Sequence, residues 1–238
     1  MTTDPVPSPR RAEVGRVGAA TRDHVSQLQR GYRADESGSV ARVAQIRRGA
    51  GRPIDALPEL WGLTGLERLY PHGRTGPSDA LAENAMHMAV TLWSLHQQSH
   101  RDVGMHRSSG PQLGGAVRQL MPADEIDEPL RKRFVRAGSA PTFDILAQRL
   151  REIVMLLRRE AVPLDYGLLA DQLYLWQLPT RRGEVNRAWG RSFHAYRRPK
   201  RTAGTPAAGA VVVADTAIGA DSPDSDFSDL SETDKDQS

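Results

Sequence analysis

The sequence predicts an all-α protein, and three observations carry that expectation. Apolar residues recur at spacings of three and four along most of the chain, as they do when a helix buries one face. The alternation of period two that marks a half-buried strand is missing, and the VVV run at 211–213 is too short and isolated to seed a sheet. Cysteine is absent, so no disulfide framework replaces a packed core, and thiol nucleophiles and thiolate-held metals are excluded. A chain of 238 residues can bury a sizeable core in one large or two small domains.

Residues 1–18 are proline-rich and are expected to form a disordered lead. They lack the apolar segment of a secretory signal, and no run of about eighteen apolar residues occurs anywhere, so the expected location is cytoplasmic, away from membranes. Two short helices follow between 21 and 47, with Val25, Leu28 and Tyr32 in register before a break at Gly38. In the second, Val40, Val43 and Ala44 form an apolar stripe, and Arg47 falls seven residues after Val40 on nearly the same side. An arginine there must find a partner or reach past the stripe. Arg47 and Arg48 also suit the negative end of the helix dipole, with Gly49 as the terminating residue.

GAGRP and the stretch around Pro58 predict a loop, ELWGLTGLERLY a glycine-weakened apolar helix, and PHGRTGPS at 71–78 another loop. Residues 79–98 predict a central helix, opened by Asp79 as cap. Leu81, Ala85, Met88, Leu92 and Leu95 lie on one face, with Ala89, Trp93 and His96 on a second apolar flank. After the polar loop HRDVGMHRSSGPQ come the short helix LGGAVRQLM and a basic helix from Glu128 to Ala137 around Phe134. A longer helix places Phe143, Leu146, Leu150, Ile153 and Leu157 on one face. Another opens near Asp165 with Tyr166, Leu169, Leu173 and Trp176, and the last, at 183–196, buries Val185, Trp189 and Phe193.

The net charge of +3, from 32 Lys and Arg against 29 Asp and Glu, conceals a division. Residues 201–238 hold eight acids and two bases, so residues 1–200 carry 30 cations against 21 acids, a net of +9. The segment from 199 onward cannot offset its ordering entropy and is expected to be a disordered acidic tail. Of the 30 cations only Lys132 and Lys200 are lysine, which favours forked recognition of phosphate or carboxylate.

Catalytic patterns are weak. His96 and His100, or Glu83 and His87, are four apart, but a metal needs three or four convergent ligands and HQQSH brings no carboxylate, so no metal or other cofactor is expected. His96 is expected at the core edge and His100 at a solvated helix end. The glycine loops match no phosphate-binding motif, and Ser108 and Ser109 beside His106 lack a nucleophile elbow. The acids Asp124, Glu125, Asp127 and Glu128 suit a helix start. What remains is cationic: Arg47, Arg48 and Arg52, then Arg101 and Arg107, then Arg118, then Arg131, Lys132, Arg133 and Arg136, all near helix ends or in loops. Brought together they would suit a phosphate backbone. A helical adaptor whose arginines pair with acidic partners, or a metal-dependent hydrolase, stays open on these residues alone.

Four segments, AQIRRGAGRPIDALPELW (44–61), TLWSLHQQS (91–99), LGGAVRQL (113–120) and VMLLRREAVPLDYGLLADQLYLWQ (154–177), together with KRF (132–134) and WGRSF (189–193), resemble one family. It is the small subunit, CasB, of the type I-E CRISPR Cascade surveillance complex, and the likeness covers roughly 20–196. It implies two small helical bundles, set at 19–110 and 111–198, no catalytic centre, and a basic face. It further implies partners: the backbone and large Cascade subunits, a second copy of this chain, single-stranded DNA of the opened target, and guide RNA indirectly. By the same likeness Arg47, Arg48, Lys132 and Arg133 would face DNA, and the cation distribution adds Arg52, Arg107, Arg118, Arg131 and Arg136 to the candidate nucleic-acid site. The family often has arginine where this chain has Gly115, a contact Arg118 could take over. Trp61 and Phe134 are expected in the core rather than stacked on bases.

Overall fold

A computed structural model describes residues 14–71, 73, 76 and 79–196, so the expected lead at 1–13, the tail from 197 and the run at 211–213 lie outside the described residues. Among the described residues eight α-helices make up the framework: α1 (Arg16–Arg33), α2 (Ser37–Ile46), α3 (Asp79–Gln97), α4 (Leu113–Gln119), α5 (Glu128–Gly138), α6 (Phe143–Arg159), α7 (Tyr166–Trp176) and α8 (Arg182–Ala195). No strand occurs among the described residues, where the extended pairing recorded is one bridge between His106 and Leu164. Among the described residues no helix is long and apolar enough to cross a membrane.

Three of the helices start where their own sequence supplies a cap. Asp127, Thr142 and Asp165 accept from the N–H groups of Leu130, Ile145 and Leu168, satisfying orphan donors at the starts of α5, α6 and α7. α1 is capped from a distance: Asp171 on α7 accepts from Gly15 N at 2.6 Å and Gly18 N at 2.7 Å. Those contacts order residues inside the expected lead. The helix therefore begins at Arg16, and Val17 enters the core. Asp79 spends its carboxylate on Gly76 N and on Arg16, which it meets at 3.0 Å, tying α1 to the start of α3.

α3 is central, packing on α1, α6 and α7, and is buried nearly all round from Ala85 to Gln97. α1 and α2 pack against one another and on α3, while α4 packs on α8 and α5 on α6. α6 and α7 face both groups, so one hydrophobic core runs across residue 110, from Val25 and Trp93 to Leu157 and Trp189. At the α4–α8 crossing the backbones touch: a Cβ on Gly114 would stand 1.9 Å from the Trp189 carbonyl oxygen. The first glycine of LGGAVR is thus demanded by packing.

Three expected features differ. The break expected at Gly38 lies at residues 34–36 instead, and Gly38 sits inside α2. Segment 58–69 is no α-helix but two 3-10 turns, Pro58–Leu60 and Leu66–Leu69, because Gly62 and Gly65 between them adopt positive φ. This leaves Trp61 outside the core, 70% exposed, whereas Phe134 is half-buried and stacks on Phe193 with centroids 5.6 Å apart. α2 ends at Ile46 and tightens into a 3-10 turn, Arg47–Gly49. The left-handed residue is Gly51, at φ 80°, not Gly49, which is buried.

Candidate nucleic-acid interface

The tightening at Arg47 answers the difficulty of an arginine on an apolar stripe. A 3-10 turn advances about 120° per residue where an α-helix advances about 100°, so Arg47 leaves the stripe that Val43 and Ile46 bury. The chain then bends through Gly51, with Arg52 N donating to Gly49 O at 2.9 Å, and passes over α6. The approach is close: a Cβ on Gly51 would lie 2.9 Å from Cδ of Arg151.

This crossing forms an open groove of about 800 Å³. One wall carries Arg47, Arg48 and Arg52, and the other, on α6, carries Arg151 and Arg158, with Met155 between them. Among the lining residues the one acid is Glu152. Arg158 is anchored, its Nε donating to Gln98 O at 3.1 Å. Arg47, Arg48, Arg52 and Arg151 make no ion pair or side-chain hydrogen bond among the described residues, which leaves their forks for a ligand.

A cleft of about 300 Å³ continues along α6. Gln148 and Glu152 line both concavities, and the cleft adds Arg133 and Arg136 from α5 and Arg149 from α6. Arg149 is held by the Arg136 carbonyl. The IRR and KRF segments, more than eighty positions apart, therefore border one α6 face.

Other expected cations go elsewhere. Arg131 is forked onto Glu128, at 2.8 and 2.9 Å, which holds that carboxyl below the usual range, and Lys132 is exposed on α5 but walls neither concavity. Arg118 spends its guanidinium on the carbonyls of Pro122 and Ala123, both at 2.6 Å, beside a separate depression with Phe193 and Tyr196. Arg107 is exposed on the loop before α4, outside both concavities. Arg101 pairs with Asp35 and lies over the Tyr32 ring. Gly115 faces α8, 3.4 Å from the Ser192 carbonyl measured to a built Cβ.

Sequence reasoning passed over Arg149, Arg151 and Arg158. For Arg151 and Arg158 the signal is a second stripe on α6, Gln148, Arg151, Met155 and Arg158 at steps of three and four, beside the apolar stripe.

His96, His100 and His106 are tied into the fold by hydrogen bonds. His96 is fully buried rather than at the core edge, with Nδ1 2.9 Å from Tyr166 Oη, and burial pushes its pKa down to about 3. His100, half-buried rather than solvated, donates from Nε2 to Arg158 O at 2.9 Å. His106 Nδ1 accepts from Tyr166 N at 3.2 Å, so in the neutral ring that burial favours, the proton sits on Nε2, facing Ser108 Oγ at 3.4 Å. It cannot take a proton from that hydroxyl. Among the described residues no group of three or more His, Asp or Glu could hold a metal ion.

Residues 42–194 match the model of the CRISPR-associated protein Cse2 family. The crystal structure of CasB from Thermobifida fusca is similar, with a TM-score of 0.70 and 51% identity over 77% of this chain and 100% of that one. Two more distant structures share the fold. A CRISPR-associated Cse2-family protein from Thermus thermophilus has a TM-score of 0.56 and 24% identity over 74% of this chain and 97% of its own. A chain of a CRISPR RNA-guided surveillance complex has 0.57 and 20%, over 75% and 93%. No curated protein matches the chain.

Proposed function

This chain belongs to the CRISPR-associated Cse2 family, and on that premise we propose that it is the non-catalytic small subunit of a type I-E Cascade complex, holding single-stranded DNA of the opened target in its basic groove. The observation that carries the reading is the convergence of Arg47, Arg48, Arg52, Arg151 and Arg158 on one groove with a single acid. Forked cations without protein partners neutralise phosphates and release counterions without reading bases. Exchange of a DNA duplex for a guide heteroduplex is close to energetic balance, so contacts to a freed strand tip it toward the open state. The second cleft, with Arg133 and Arg136, extends the same track along α6.

In this reading the protein works in the cytoplasm beside the backbone and large subunits and a second copy of itself, and touches guide RNA only through them. Charge reversal by Arg47→Glu with Arg48→Glu is expected to weaken target-DNA binding by the assembled complex while helicity stays intact. Unchanged DNA affinity at low salt would show the groove to be structural. The adaptor reading, in which these forks pair with acidic protein, predicts that outcome together with loss of the subunit from the complex.

A further inference from the structure

Apolar side chains line the basic groove together with its arginines. Leu95 of α3 and Ala50 of the turn after α2 are buried there, whereas Met155 of α6 is 41% exposed. A lone exposed methionine is ordinary on a helix surface. This one lines the same concavity as five arginines, so a ligand that fills the groove to meet their forks also meets the thioether. On α6 it comes one turn after Arg151 and one turn before Arg158, two cations separated by roughly 10 Å of helix axis. The lining thus asks for two things at once, anionic oxygens and an accessible apolar face. Single-stranded nucleic acid supplies both, because its phosphates alternate with bases whose faces are free to stack. A duplex carries the same phosphates but keeps those faces inside its own stack.

We propose that Met155 packs its thioether on the face of an unpaired nucleobase while the groove arginines hold the neighbouring phosphates, and that this contact makes the groove prefer a single strand. The inference rests on the function proposed above and adds the part of the ligand that the arginines do not select. A thioether is polarizable and makes favourable contacts with aromatic rings, and its flexible stem adapts to any of the bases. The contact is therefore blind to sequence, since every base has a π-face. An acidic peptide could also bring carboxylates and an apolar side chain. Gln98 and Gln148 line the groove too, however, and their amides donate and accept as base edges do, whereas the carboxylates of such a peptide only accept. Phosphate contacts stabilise duplex and single strand alike. A base-face contact forms only once pairing is broken, so it acts wholly on the difference between the two states.

The test uses the full-length protein and labelled oligonucleotides of equal length, read by fluorescence anisotropy: an all-dT strand, a strand of abasic positions with the same number of phosphates, and a duplex. The dT strand should bind about ten-fold more tightly than the abasic one. Met155→Gln keeps the side-chain length and the helix propensity at an exposed position, and should weaken dT binding about five-fold while abasic and duplex affinities stay within about two-fold. The salt dependence should not change, and Met155→Leu should keep most of the dT preference. Equal wild-type affinities for the dT and abasic strands would overturn the base contact and leave the phosphate groove standing. A Met155→Gln variant that weakens all three ligands alike would overturn it as well, because the side chain would then only shape the groove. So would a dT preference that survives Met155→Gln, which would put the base contact elsewhere. If none of the three binds, the base contact and the function beneath it both fall, and the groove is left to an acidic protein partner.

Discussion

Replacing Arg47 and Arg48 with glutamine tests the groove quantitatively, because neutral substitution removes phosphate partners without adding repulsion. Four groove arginines, Arg47, Arg48, Arg52 and Arg151, have uncommitted forks, whereas Arg158 is tied to Gln98. For a strand short enough to occupy this groove without reaching the Arg133–Arg136 cleft, one phosphate per free fork gives a slope of log affinity against log salt of about −2.8, at about 0.7 per contact. Raising salt from about 50 to about 200 mM should then lower wild-type affinity about 50-fold. The double variant should have a slope of about −1.4 and lose only about 7-fold over the same range. Anisotropy titrations of full-length protein with a labelled oligonucleotide at several salt concentrations measure both slopes, and circular dichroism checks the helices. A variant slope within about 0.3 of wild type would refute the idea that these two forks displace counterions.

Three further expectations follow from the same geometry. Glu152 is the acid shared by both concavities and has no ion pair among the described residues, so Glu152→Gln should raise oligonucleotide affinity, visible in the same titration. Gly51→Ala forces a side chain into left-handed backbone against Arg151. It should cost about 1–2 kcal/mol by urea denaturation and lower oligonucleotide affinity through the displaced guanidinium. His96 titrates near 3 when folded and near 6.5 when unfolded, so below pH 6.5 the unfolded chain binds the extra proton. The stability it contributes is full above that pH and falls as pH drops toward 3, by about 2 kcal/mol between pH 7 and 5. Burial lowers His24, His87 and His106 as well, reinforcing that direction. Urea midpoints at pH 7, 6 and 5 measure the loss, and His96→Gln should reduce it.

Where an apolar stripe drives burial, the residues alone reveal the element. Leu146, Leu150, Ile153 and Leu157 predict α6, Tyr166, Leu169, Leu173 and Trp176 predict α7, and all eight are buried. The stretch containing Trp61 deceives because its leucines carry helical spacing while Gly62 and Gly65 divide it into tight turns. For the groove, the sequence yields Arg47, Arg48 and Arg52 but not their opposite wall. That wall depends on which face of α6 the turn after α2 crosses, a matter of long-range packing. Nor does charge alone tell how a fork is used: Arg131 and Arg118 resemble Arg48 in a string of letters, yet a nearby carboxylate and two backbone carbonyls occupy them.

Asp171 grips the amides of Gly15 and Gly18 across 156 positions of chain. That grip orders events at the ribosome. Of the described helices, the first to leave the exit tunnel has its cap, and its packing surface on α7, in the next to last. At ~5–20 residues per second it waits ~8–30 s for them. Over that interval the side of α1 that meets α7 is open to chaperones, and this contact closes only when seven of the eight described helices have been translated.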